Sequence, residues 1–180
     1  MRDELTELEQ CVVGVVWRDG PMTAYEIAAL FASSLSPYWS GSAGAIYPVV
    51  RRLRQRGLLR GTQKAWNGSR KTVLTITAKG VALLKAWLGP PLPLEAGAAS
   101  YDSVRTRLFF IEVLAPKERM PFIAEAERVV REQLRLVQRR LEENEARGEW
   151  SEALGSLGVI YEMKARLRWL KAVRERIRKR

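Results

Sequence analysis

The chain contains no histidine and a single cysteine, Cys11. Without imidazole there is no histidine general base, no Ser/His or Cys/His nucleophile and no histidine-built metal site, and one thiol cannot supply a zinc cluster. A glycine-rich phosphate loop ending in Lys-Ser/Thr is also missing. The residue set therefore points away from an enzyme, a metal sensor and any cofactor. One cysteine cannot close an internal disulfide, and its neighbours Val12, Val13 and Val15 mark a buried thiol. No apolar run reaches the roughly 18 residues that cross a bilayer, and the acidic start MRDELTELEQ lacks a signal-peptide core, so a cytoplasmic protein with no membrane partner is expected.

The most telling absence is of acid. No Asp or Glu occurs between Glu26 and Glu95, while Arg51, Arg52, Arg54, Arg56, Arg60, Lys64, Arg70, Lys71, Lys79 and Lys85 fall inside that gap. Over the whole chain 31 Lys and Arg oppose 20 Asp and Glu, a net charge of +11. Solubility is served as well by mixed charge, whereas a long segment cleared of acids is the footprint of phosphate binding. The length of 180 residues, 47% of them hydrophobic, is enough for one medium domain or two small ones with real cores.

Ser40–Leu59 organises the first half. Ile46, Val49, Val50 and Leu53 recur at helical spacing and define a buried face, leaving Arg51, Arg52, Arg54 and Arg56 on other faces. Ser40 or Ser42 is expected to cap the helix and Gly57 to end it, with Pro48 loosening the first turn. Upstream, Leu5–Trp17 reads as a first helix. Thr23 with Glu26 forms the capping box of a second, whose apolar face is Ile27, Leu30, Phe31 and Leu35 before Ser36-Pro37 stops it. Downstream, Leu58–Ala65 and Arg70–Thr77 alternate as a hairpin turning at Asn67-Gly68, with Leu74 and Ile76 pointing inward. Thr77 then caps a helix, 78–88, that packs Val81, Leu84 and Leu88. Three helices followed by a hairpin make a winged helix-turn-helix at 1–88, with the central helix placed to enter a major groove. A surface helix with a solvated basic face would carry the same local pattern; the adjoining hairpin in the same acid-free zone argues for DNA.

The run 89–100, GPPLPLEAGAAS, has no helical period and reads as a linker. Beyond it the pattern is helical: Tyr101–Leu114, Lys117–Arg147 and Ser151–Arg178, the last two an antiparallel pair turning near Gly148. Such a pair has more apolar surface than it can cover, so 101–180 is expected to dimerise through Leu108, Ile123, Val130, Leu134, Val137, Leu157, Tyr161, Leu167 and Leu170.

An ordered set of motifs leads to a family. Gly20-Pro21, Tyr25-Glu26-Ile27, Trp39-Ser40, Ser42-Ala43-Gly44-Ala45-Ile46-Tyr47-Pro48, Arg52-Leu53, Gly57-Leu58 and Thr77–Gly80 together resemble the PadR family of bacterial transcriptional regulators. The motifs cover roughly the first half, and the helical second half is similar to the dimerising domain of its longer members. Thr23-Ala24 stands where the family commonly has His-Gly, and Leu74 where it often has tyrosine. The resemblance implies a mainly α fold and a dimeric winged-helix repressor of a pseudo-palindromic operator, often released by a small aromatic or hydrophobic effector. The residues expected at DNA are Thr23, Ser42, Gly44, Tyr47, Arg51, Arg52, Lys64, Arg70 and Lys71, with Ser42 and Tyr47 reading base edges, or Tyr47 packing under the helix instead, and Arg51 and Arg52 on phosphates or a guanine. Trp87, Phe109, Phe110 and Tyr161 are candidate walls of an effector pocket, although core packing is the commoner use of such aromatics. The rival reading is a basic helical adaptor whose winged domain binds protein; steep salt dependence and competition by duplex DNA separate the two.

Overall fold

The computed structural model describes residues 5–66 and 69–179, so the turn expected at Asn67-Gly68 lies outside the described residues. The chain divides into two compact units, Met1–Ala98 and Ala99–Arg180, and the expected 89–100 linker contains one 3-10 turn at Leu94–Gly97.

In the first unit α1 (Glu7–Asp19) begins with a capping box between Thr6 and Glu9, and α2 (Ala24–Ala32) with the one between Thr23 and Glu26. Each box satisfies free amides at a helix start. The second helix ends earlier than its apolar pattern suggested. It stops at Ala32, Leu35 is exposed, and Pro37 opens a short α3 (Pro37–Gly41), because proline's fixed backbone angle and missing amide suit a first turn rather than an interior. A 3-10 turn, Ala43–Ala45, leads into α4 (Ile46–Gln55), and Gly57 leaves it at φ +71°. The left-handed angle there is the reason for glycine.

Strands β1 (Leu59–Trp66) and β2 (Ser69–Ile76) pair antiparallel, with Leu59 opposite Ile76 and Lys64 opposite Lys71. Met22 adds a single bridge to Leu74, the two exchanging backbone hydrogen bonds of 3.2 and 2.7 Å. Leu74 is buried as expected, but Val73 is buried too and Ile76 only half so. Helix α5 (Ala78–Leu88) is capped by Thr77 and buries Leu84; Leu88, expected inside, is exposed at the helix end. The core joins Val12, Val13 and Val16 of α1, Ile27 and Phe31 of α2, the apolar face of α4, and Leu58, Leu59, Leu74 and Leu84.

In the second unit Asp102 accepts from the amides of Val104 and Arg105 and starts α6 (Ser103–Leu108), which ends well short of the expected Leu114. The backbone leaves helical angles at Phe110 (φ −117°, ψ 14°), and a 3-10 turn, Ile111–Val113, follows. The long helices α7 (Pro116–Ala146) and α8 (Trp150–Arg178) pack along each other and turn at Gly148, φ +71°. Their seam holds Ile123, Ala126, Val130 and Leu170, with Val104, Leu108 and Ile111 packed against it.

Candidate nucleic-acid interface

Helix α4 buries Ile46, Val49, Val50 and Leu53, which turns that face toward the core. With 3.6 residues per turn, Tyr47 and Arg51 then fall together on another face. Both are exposed, Tyr47 at 55%, so its ring is not packed beneath the helix. The approach to α4 is built from small residues. A Cβ placed on Gly44 would meet nothing within 4 Å, so the fold leaves open space there for a close-lying ligand surface.

Ser42 does not cap α4. Its hydroxyl donates to the Tyr38 carbonyl at 2.8 Å, and the residue before the helix, Ala45, has no side chain able to cap it. The 3-10 turn occupies the place where a serine cap would have worked. Thr23 is likewise engaged: its hydroxyl accepts from the Glu26 amide at 3.2 Å and donates to the Glu26 carboxylate at 2.9 Å. The Thr23 amide, donating to the Glu26 carboxylate at 2.6 Å, and then the Thr23 hydroxyl, with a smaller effect from Lys71, hold Glu26 below its ordinary carboxylate range. The two hydroxyls expected to face DNA are therefore used inside the protein.

Arg52 departs from expectation most sharply. Its Nε donates to Glu9 Oε1 at 2.8 Å. Glu9 is 5% exposed, and its other carboxylate oxygen accepts from the Thr6 amide and hydroxyl. Burial pushes the Glu9 carboxyl up, but the Thr6 amide and Arg52 outweigh it and hold it below the usual range. Helical spacing with Val12, Val13 and Val16 marks Glu9 as an acid on the inner side of α1, but it does not tell which arginine of α4 meets it.

Arg54 lies across the base of the wing, since a Cβ on Gly61 would come within 3.0 Å of its Nε and Cζ. Lys79 closes the far end of α4 by donating to the Arg56 carbonyl at 3.0 Å. On the wing, Lys64 and Arg70 are exposed and Lys71 half-buried, and Lys64 faces Lys71 directly across the ladder. Like charges opposite one another weaken a hairpin, and the Glu26 carboxylate at the start of α2 acts on Lys71. Exposed tyrosines also stand on the neighbouring helices, Tyr25 on α2 and Tyr38 on α3. Sequence reasoning passed over both, although Tyr25 sits off the Ile27 and Phe31 stripe.

The remaining expected site residues lie on α5 and in the second unit. Ile123, Val130, Val137 and Leu170 are buried within their own chain, and Leu108, Leu134 and Leu167 are half-buried. Periodicity identified buried positions correctly but not which helix buries them: α7 and α8 cover each other. Leu157 and Tyr161 remain exposed on α8, with Trp150 and Leu154 in the same three- and four-residue rhythm. Of the four expected pocket aromatics, Phe109 lines a groove of about 700 Å³ formed with Leu108, Ile111, Trp169, Val173 and Ile177 and edged by Arg105, Arg176 and Lys179. Phe110 and Tyr161 lie outside it, and Trp87 belongs to the first unit. Among the described residues no three metal-ligating side chains cluster, and no helix is long and apolar enough to cross a membrane.

Known proteins match this architecture. Residues 12–86 match the transcriptional regulator PadR-like family. The negative transcriptional regulator PadR of Bacillus subtilis (strain 168) is 26% identical over 112 residues, a match spanning 62% of this chain and 60% of that protein. The crystal structure of Bacillus subtilis PadR in complex with operator DNA resembles this fold with a TM-score of 0.81 at 21% identity, covering 97% of this chain and 99% of that one. The crystal structure of PadR with p-coumaric acid matches at 0.73 and 20% identity, covering 94% and 98%. Through residues 12–86, somewhat less than half of its length, this chain is similar to the PadR-like family of transcriptional regulators.

Proposed function

We propose that this protein is a dimeric, sequence-specific DNA-binding regulator, a cytoplasmic repressor without catalytic activity, in which α4 enters the major groove of a pseudo-palindromic operator. The observation that carries this reading is the exposed Tyr47 and Arg51 face of α4 beside a small-residue entry and a cationic wing, all in a segment without acids. Arg51 neutralises a phosphate or meets a guanine edge, the latter worth about 1–3 kcal/mol of discrimination. Lys64, Arg70 and Lys71 hold the flanking backbone. The second unit supplies the dimer contact through the exposed α8 stripe Trp150, Leu154, Leu157 and Tyr161 rather than through the buried seam. A small hydrophobic or aromatic effector fits the groove beside Phe109 and Trp169, whose walls are apolar and whose edge is cationic.

The test is a titration against labelled duplex from upstream of the protein's own gene, at two salt concentrations and with excess unrelated duplex. Salt-sensitive binding that survives the competitor supports an operator reader. Binding abolished by competitor leaves only a general affinity for DNA, and no binding at either salt favours the protein adaptor.

A further inference from the structure

The acid of the first helix and the arginine of the reading helix form a pair that DNA contact alone does not explain. Both oxygens of Glu9 are committed, one to the start of α1 through Thr6 and the other to Arg52 Nε. The carboxylate is nearly fully buried at the edge of the core where α1 packs on α4, so it needs a cation as partner. Arg52 supplies it from α4, about 100° around the helix from Arg51. Holding Arg52 against α1 therefore fixes the direction in which Arg51, and Tyr47 one turn before it, must face.

We propose that Glu9 is a positioning residue for DNA reading: through Arg52 it locks the rotation of α4 about its axis, and it withholds the Arg52 charge from the nucleic acid. This rests on the regulator reading above. It divides the adjacent arginines, Arg51 contacting DNA and Arg52 aiming the helix that carries it. The bond is directional, because a guanidinium held by Nε constrains the plane of its fork, which lysine cannot reproduce.

The experiment measures fluorescence anisotropy with two duplexes, one carrying the site that wild-type protein selects from a randomised pool and one scrambled, across a salt series. The proteins are wild type, Arg51→Gln, Arg52→Gln, Glu9→Gln and the double variant Glu9→Gln/Arg52→Gln. Arg51→Gln should lower the salt slope by about one, the value for one phosphate contact. Arg52→Gln should leave the slope unchanged yet reduce preference for the selected site by about tenfold, the scale of one charge-assisted hydrogen bond. Glu9→Gln should lose the same preference, and the double variant no more than either alone, because the two residues act as one unit. Affinity for the scrambled duplex should hold in Arg52→Gln and the double variant, fall in Arg51→Gln, and rise in Glu9→Gln, where Arg52 is freed for a phosphate.

A slope lowered by about one in Arg52→Gln would put Arg52 on a phosphate and overturn the proposal. Equal loss on both duplexes would reduce the pair to a general stabiliser, and additive losses would uncouple it. Should Arg52→Gln fail to fold, Arg52→Lys keeps the charge: lost site preference at an unchanged slope supports positioning, and retained preference refutes it. Wild-type protein that selects no site overturns the regulator reading itself, and this is seen before any variant is compared.

Discussion

Gly80 offers a test in which two effects have opposite sign. It is buried in the first turn of α5, its amide donating to the Thr77 hydroxyl at 3.1 Å. Glycine is a poor helix former, so replacement by alanine should on propensity alone stabilise the helix by up to about 1 kcal/mol. The packing says otherwise. A Cβ on Gly80 would overlap the Leu58 carbonyl oxygen and stand 2.8 Å from Ile76 Cγ1. That carbonyl already accepts from both the Thr77 amide and hydroxyl, at 3.1 Å each, so it cannot retreat without breaking the junction of β1 and α5. Overpacking of this kind costs about 1–3 kcal/mol and outweighs propensity, leaving Gly80→Ala destabilised by about 1–2 kcal/mol. Gly14 in α1 is the control. A Cβ there would meet only Leu84 Cδ1, at 3.7 Å, an ordinary contact, so Gly14→Ala should gain about 0.5–1 kcal/mol. Urea unfolding followed by helical circular dichroism, at matched protein concentrations, reads both. A Gly80→Ala midpoint at or above wild type, or equal losses in the two variants, would refute the steric argument.

Leu53→Ala removes a fully buried side chain from the core face of α4 and should cost about 2–5 kcal/mol in the same unfolding assay; a loss below 1 kcal/mol would mean the site collapses around the gap. Burial, with Glu7 second, pushes the Cys11 thiol from 9.0 up to about 11, so native protein should react with an aromatic disulfide at pH 8 far more slowly than urea-unfolded protein. Because the unfolded thiol ionises first, stability should fall between about pH 9 and 11, and a flat profile there in a comparison with Cys11→Ala would contradict the assignment. In the second unit Glu127 is buried with Oε2 shared by Arg131 at 2.8 Å and Arg174 at 3.3 Å, while its Oε1 has no hydrogen-bond partner. Replacing the acid by leucine should be near neutral, whereas Arg174→Ala weakens a buried charge and should cost about 1–3 kcal/mol in thermal or urea unfolding; the reverse order would show that the pair stabilises rather than merely compensates.

What the sequence determined by itself is what depends on near neighbours. The capping box of Thr23 and Glu26, the Thr77 cap, the glycine after α4 and the hairpin pairing are set by residues a few positions apart, and each was legible as a string. The acid-free segment was legible too, because a field is a sum over charges and needs no contact map. Tertiary structure decided everything that depends on which surface meets which. Ile123 and Leu170 carry the same spacing whether a second chain or their own neighbour covers them, and only the packing of α7 on α8 shows that it is their own. Ser42 has the chemistry of a cap, but the 3-10 turn that follows it moves the helix start beyond its reach. Arg51 and Arg52 are indistinguishable in the string. Folding places a buried carboxylate, 43 residues away in sequence, beside only one of them, and the cost of leaving that charge unpaired gives the two arginines different work.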